Sequence, residues 1–329
     1  MRVVEAKAFG DPEVLAVNEV PDPVAGAGEV VVAVAAADVM FLDTMLRSGV
    51  GRDYFPVHPP FVPGGAVSGV VESVGPGVDA QWIGRRVATP TADSGIGSGT
   101  PTGGYAEKVL AKADTLSIVP EDLTLDQAVA LVHDGRTALA VADRADLRAG
   151  EWVLITAAAG GLGTLLIQLA RTAGARVIAA ARGEAKLALA QRLGAEAVVD
   201  YSRPDWVDQV REITGGVHAV LDGAGGRIGG DSVAALVPGG RLLGYGNAAG
   251  GFAAVDSEAA AARDITVLTL FDITAAGTDW VALHDRVQAE AAAGRLEVVI
   301  GQRFALADAA AAHTAIESRA AAGRTILTV

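Results

Sequence analysis

Residues Trp152-Val-Leu-Ile-Thr-Ala-Ala-Ala-Gly-Gly-Leu-Gly163 have a spacing that can hold a phosphate chain. An apolar, β-branched run stops at a small-residue loop, and Thr164-Leu-Leu-Ile-Gln-Leu-Ala170 then opens a helix. Gly160 lets a backbone approach a pyrophosphate, and Gly163 lets the helix pack close to the strand. The N–H groups of the helix start, with Gly161 and Leu162 in its first turn, face the anion. The first of the three glycine positions usual in such a loop is Ala158, so the loop alone also reads as a tight βα turn.

A carboxylate about 20 residues past the glycine loop would take the adenosine ribose 2′-hydroxyl of NAD. The second strand instead ends at Ala179-Ala-Ala-Arg182-Gly183, with no acid at its tip. Arg182 can pair a 2′-phosphate bidentately, and Lys186 lies one helical turn beyond. Tyr201, just after the third strand, would lie near the adenine. These features point to NADPH; the plainer alternative is that Arg182 and Lys186 solvate a helix start. Asn247 follows the fifth strand at the C-terminal sheet edge, where such folds bind ligands, or else it is a turn residue within Gly244–Gly251. His133 can donate a proton near neutral pH, or sit hydrogen-bonded inside a helix.

The elements that must position these residues change character along the chain. Up to about residue 120, short Val-rich runs (Glu29–Ala35, Gly69–Val74, Arg86–Ala88, Tyr105–Leu110) are broken by Gly, Pro and Asp, as in a β-barrel-like domain. Thr91–Thr102 reads as a loop. From about residue 123, helical spacing over Asp126–Val141 and Leu165–Ala173 alternates with strand-like runs at Val153–Thr156, Arg176–Ala180, Ala197–Val199, Ala219–Leu221, Arg241–Tyr245 and Thr266–Leu270. Six strands with helical crossovers make a doubly wound parallel sheet. The tail from Gln302 returns to strand, helix and strand, completing the first domain. The expected boundaries are 1–122 with 294–329 for that domain and 123–293 for the nucleotide domain.

Net charge is −13, with no basic cluster, which makes nucleic acid a poor partner. No apolar run reaches the ~18 residues a membrane span needs, and the N-terminus reads as a strand rather than a signal peptide. None of the 329 residues is cysteine, which excludes disulfides, thiolate metal sites and cysteine nucleophiles and suits a reducing cytoplasm.

Pro63-Gly64-Gly65-Ala66-Val67-Ser68-Gly69, followed by Gly75 and Val78, resembles the alcohol-dehydrogenase signature of the medium-chain dehydrogenase/reductase superfamily. Where the zinc enzymes of that superfamily carry a ligand histidine, this chain has Gly65; the adjacent glutamate position is Ala66. The chain therefore resembles the zinc-independent quinone oxidoreductase (zeta-crystallin-like) branch. The matching segments are Phe41-Leu-Asp-Thr44 with Arg47-Ser-Gly49, Gly103-Gly-Tyr-Ala-Glu107, Gly135-Arg-Thr-Ala138, the loop 157–163, Pro238 through Asn247, and Gly323-Arg-Thr-Ile-Leu327.

The resemblance implies an α/β fold with a GroES-like β-barrel-type catalytic domain and a Rossmann domain. It also implies a homodimer with no metal. Its chemistry would be hydride transfer from NADPH to a quinone or a small α,β-unsaturated carbonyl, with enoyl-thioester reduction or non-catalytic NADPH binding as alternatives. It puts Thr137 beside the nicotinamide, against the alternative of a helix-start cap. Asp43 matches the family, as a site residue or as a support for the Arg47 turn. Tyr54 lies near a proton-donating tyrosine of related reductases, or packs its loop. Met40 and Met45 stand where the family carries Asn and often Tyr, and the polar pair His133–Asp134 interrupts a segment that is usually apolar.

Overall fold

A computed structural model describes residues 1–53, 55–273 and 278–329. The chain folds as two compact units: Met1–His133 together with His284–Val329, and Asp134–Leu283.

The first unit opens with β1 (Arg2–Ala6) and β2 (Leu15–Glu19), an antiparallel pair. β3 (Glu29–Val39), β4 (Ala66–Val74), β5 (Arg86–Pro90), β6 (Lys108–Lys112) and β7 (Ser117–Ile118) follow, with helix α1 (Phe41–Ser48) between β3 and β4. β3 is a run of Val and Ala, β-branched and small residues that suit a pleated surface buried on both faces. Its partners β4 and β6 are antiparallel. At Gly69 of β4 an added Cβ would lie 2.0 Å from the Ala33 carbonyl, so only glycine admits this closeness. Val30, Val32, Val67, Val71 and Val109 fill the core. α1 stops at Gly49, whose φ of +86° is open to glycine but strained for other residues. α2 (Leu125–Ala145) runs longer at both ends than its periodicity suggests.

The second unit holds β8 (Trp152–Thr156), β9 (Arg176–Ala181), β10 (Ala197–Asp200), β11 (Val217–Asp222), β12 (Leu236–Gly244) and β13 (Thr266–Thr269). Every pairing in this sheet is parallel, in the order β10-β9-β8-β11-β12-β13. The order reverses between β8 and β11, the switch point where open α/β sheets receive ligands. The helices are α3 (Gly161–Thr172), α4 (Glu184–Arg192), α5 (Trp206–Thr214), α6 (Gly226–Ser232), α7 (Ser257–Ala262), α8 (Leu270–Ile273) and α9 (Trp280–Ala292), the last running on into the first unit. All five residues of β8 are buried, as expected for a central strand covered on both faces.

The tail, β14 (Ile300–Ala305), α10 (Ala309–Glu317) and β15 (Arg324–Thr328), returns to the first unit. β15 pairs antiparallel with β3 and parallel with β14, so the last strands of the chain join the sheet begun near its start. The strand expected from Tyr105 begins at Lys108 instead. Gly103, Gly104 and Tyr105 spend their N–H groups on the carbonyls of Val62, Gly64 and Pro63. No helix among the described residues is long and apolar enough to cross a membrane.

Candidate functional site

In the second unit β8 ends at Thr156, and the chain turns through Ala157, which holds a φ of +49° without being glycine. Such a conformation costs about 1 kcal/mol or more and clusters at functional turns. Gly160 is the N-cap of α3 and is exposed. An added Cβ there meets only the Ala157 carbonyl, at 3.3 Å. At Gly163 it would fall 2.6 Å from the Ala157 carbonyl and 2.8 Å from the Ala158 Cα, so the helix rides directly on the turn. Ala158 is fully buried. Gly161, Leu162 and Gly163 form the first turn of α3, where N–H groups lack intrahelical acceptors.

Arg182 is exposed at the tip of β9, and Lys186 is half-buried on the first turns of α4. Tyr201 follows β10 and donates its N–H to the Ala181 carbonyl at 3.3 Å, so the three residues come to one sheet edge. The sequence showed no acid at the tip of the second strand, but the third strand brings one there. Asp200 lies in register with Ala181, and its carboxylate accepts from the Gly183 N–H at 3.1 Å. Burial pushes its pKa up, yet hydrogen bonds from Ser202 and Gly183 and the Arg182 charge hold it below the usual value.

At the next strand tips Thr156 and Asp222, 66 residues apart, share a 2.5 Å hydrogen bond. Thr156 Oγ1 accepts the N–H groups of Gly223 and Ala224, and the Asp222 carboxylate accepts those of Ala224 and Gly225. Burial raises the Asp222 pKa. This knot sets the loop after β11, and Gly246 approaches it so closely that a Cβ would lie 2.0 Å from the Gly223 carbonyl. Sequence reading missed the knot; its trace is a threonine and an aspartate each closing a buried strand. Asn247 is half-buried beyond β12, and its carbonyl accepts from Gly250 and Gly251, so it also closes a turn. Thr137 lies within α2 and is half-buried, too deep in the helix to be its start cap.

In the first unit Met40 and His133, two departures from the family pattern, converge on Gly65, which stands at the histidine position of the zinc enzymes. A Cβ at Gly65 would lie 2.3 Å from Met40 Cε and 3.2 Å from His133 Nε2. His133 Nε2 sits 2.9 Å from the Gly65 carbonyl, to which it donates. Glycine is thus what admits the methionine and the imidazole.

Asp43, in the first turn of α1, is wholly buried, accepting from the Met40 N–H at 2.8 Å and from the Tyr105 hydroxyl at 3.3 Å. The same hydroxyl is 3.0 Å from His313 Nε2. Burial pushes Asp43 up to about 7 and His313 down to about 3. Arg47, also buried, pairs with Glu317. The Met40 bond ties the Asp43 carboxylate to the start of α1. Tyr54 lies outside the described residues.

Residues 26–121 match the family described as alcohol dehydrogenase GroES-like domain, and residues 161–289 match zinc-binding dehydrogenase. The residues here do not fit a zinc. Gly65 fills the histidine position, cysteine is absent, and no group of three or more metal-ligating side chains occurs among the described residues. A 2-haloacrylate reductase from Burkholderia is 33% identical over 97% of this chain and 96% of its own length. A quinone oxidoreductase from Pseudomonas aeruginosa is 32% identical over 98% of both. The Escherichia coli quinone oxidoreductase solved with NADPH superposes with a TM-score of 0.88 at 28% identity over the whole of both chains. A mycobacterial protein solved with NADPH gives 0.87 at 33%, again over both whole chains. The chain belongs to the medium-chain dehydrogenase/reductase superfamily, in its quinone oxidoreductase (zeta-crystallin-like) branch.

Proposed function

We propose that this chain is an oxidoreductase that uses NADPH to reduce a quinone or a small α,β-unsaturated carbonyl. The observation that carries this reading is the loop after β8, open at Gly160 and close-packed behind at Gly163, with the Arg182 guanidinium exposed at the neighbouring strand tip. The names of the relatives support it: a quinone and a haloacrylate are both electron-poor at carbon. So do the NADPH complexes of two structural neighbours.

The amides of Gly161, Leu162 and Gly163 would hold the pyrophosphate, with Ala158 and Gly160 shaping the turn beneath it. Arg182 and Lys186 would pair the 2′-phosphate, and Tyr201 would lie along the adenine. Thr137 would hold the nicotinamide carboxamide through its hydroxyl, and Asn247 would border the same end. When bound, the nicotinamide supplies a hydride to an electron-poor carbon. The chain's own work is to orient the ring, exclude water and offer donors to the oxygen where charge gathers. His133 and Tyr54 are the proposed proton donors. Asp43 acts through α1 as a positioning residue.

The protein works as a cytoplasmic homodimer in this reading. Among the described residues β13 is a terminal strand of its sheet, and Val267 and Phe271 near it are 37% and 65% exposed.

The test is oxidation of NADPH and NADH against 1,4-benzoquinone, 9,10-phenanthrenequinone, methyl vinyl ketone and crotonyl-CoA. Turnover of a quinone or enone with a preference for NADPH is expected. Turnover of crotonyl-CoA alone would move the reading to thioester reduction, and failure to bind either nucleotide would overturn it.

A further inference from the structure

The edge that gathers Arg182, Lys186 and Tyr201 also carries a fixed negative charge that no local reading of the second strand reveals. Asp200 closes β10, and parallel pairing sets it beside Ala181, one residue before Arg182. Its carboxylate is locked on both oxygens. Oδ2 accepts from the Gly183 N–H at 3.1 Å, and Oδ1 accepts from the Ser202 N–H at 2.8 Å and the Ser202 hydroxyl at 2.6 Å. Gly183 has a φ of +84° and is the N-cap of α4, so this contact also fixes where α4 begins.

We propose that Asp200 is a specificity-determining residue for the adenosine end of the cofactor: its fixed charge opposes the 2′-phosphate that Arg182 attracts and so narrows the preference for NADPH over NADH. The inference rests on the nucleotide reading above and adds to it the residue that limits its selectivity.

Three physical points carry it. A phosphate monoester bears about 1.5 to 2 negative charges at neutral pH, whereas the 2′-hydroxyl of NADH bears none, so a nearby carboxylate discriminates between them by charge alone. The carboxylate cannot swing away without surrendering the hydrogen bonds to Gly183 and Ser202. Finally, Arg182 feels Asp200 before any ligand arrives, and the Arg182 charge is among the causes that hold Asp200 ionised. Glu184, exposed at the first position of α4, adds a second negative charge nearby.

The hydrogen-bonding work of Asp200 can be separated from its charge. In Asp200→Asn the amide oxygen can accept from Gly183 while the amide nitrogen donates to the Ser202 hydroxyl. The Ser202 N–H, on an exposed residue, then turns to water.

The experiment measures binding of 2′,5′-ADP and of 5′-AMP by calorimetry to the wild type, Asp200→Asn and Arg182→Ala. These probes isolate the adenosine end and need no turnover. The expected result is that Asp200→Asn tightens 2′,5′-ADP about fivefold and changes 5′-AMP less than about twofold. Arg182→Ala moves the ratio the opposite way. The advantage of Asp200→Asn should shrink as salt rises from about 0.05 to 0.5 M, because the effect is electrostatic. An equal change for both nucleotides, or a change indifferent to salt, would reduce Asp200 to a turn-holding residue and overturn the proposal. If the wild type binds neither nucleotide, the underlying cofactor reading falls and this inference falls with it.

Discussion

Asp43 keeps a carboxyl where no water reaches it, at the first turn of α1 and against the Tyr105 hydroxyl. Burial raises it from 3.8 to about 7, and the same burial lowers His313 from 6.5 to about 3. The two titrations act on stability with opposite sign. Between about pH 4 and 7 the folded chain holds the Asp43 proton more tightly than the unfolded chain, so this group subtracts stability as pH rises. His313 adds stability as pH rises from about 3 to 6.5, because only the unfolded chain charges it there. The pair therefore offset one another in mild acid, and above about 6.5 Asp43 acts alone. Asp43→Asn removes the falling term. Relative to wild type, its melting temperature should improve by at least about 2 °C between pH 5 and 8. A constant difference across that range would mean that Asp43 does not titrate there. Little of this was legible beforehand: Phe41-Leu-Asp-Thr44 marked Asp43 as notable, but His313 and Tyr105 lie 270 and 62 positions from it in the chain.

The strand–turn–helix of β8 and α3 was the most legible element, because its physics is local. Apolar β-branched residues make a buried strand, and glycines sit where the turn needs close approach. The two glycines nonetheless have separable duties. Gly163→Val would drive a side chain into the Ala157 carbonyl and the Ala158 Cα, which are backbone atoms that cannot yield cheaply. It should cost about 1–3 kcal/mol of stability and abolish nucleotide binding. Gly160→Ala meets only one atom, at 3.3 Å, so its melting temperature should stay within about 2 °C while nucleotide affinity falls. Thermal melts and reduced-nicotinamide fluorescence on both variants check this, and equal melting losses would refute the division. The Thr156–Asp222 knot beside the same loop escaped sequence reading, since a hydrogen bond between two strand tips has no periodicity to announce it.

At the scale of the molecule, the first unit is closed by its own tail: β15 lies against β3 although nearly 290 residues separate their paired positions. The Arg324–Asp38 ion pair adds a buried charge contact to that closure. Among the described residues the sheet of the second unit ends on one side at β13, near which Phe271 packs edge-to-face on Phe252. If that edge joins two copies, a Val267→Asp, Phe271→Asp double variant should convert a dimer into a monomer in light scattering while leaving the melting temperature of the monomer within a few degrees. A wild-type chain that already scatters as a monomer, or a double variant that still scatters as a dimer, would remove β13 as the interface.

Sequence alone determined the elements whose rules act over a few residues: the βα alternation from residue 123 onward, the glycine turn at Gly160 and Gly163, and the absence of thiols. The order of motifs along the chain carried the family resemblance. Only the tertiary structure decided what shares a strand tip or a buried space. It brought Asp200 beside Arg182, set Met40 and His133 against Gly65, and enclosed Asp43 with Tyr105 and His313. Strand register and packing join residues far apart in the chain, and the charge or burial that results belongs to the assembled neighbourhood rather than to any one segment.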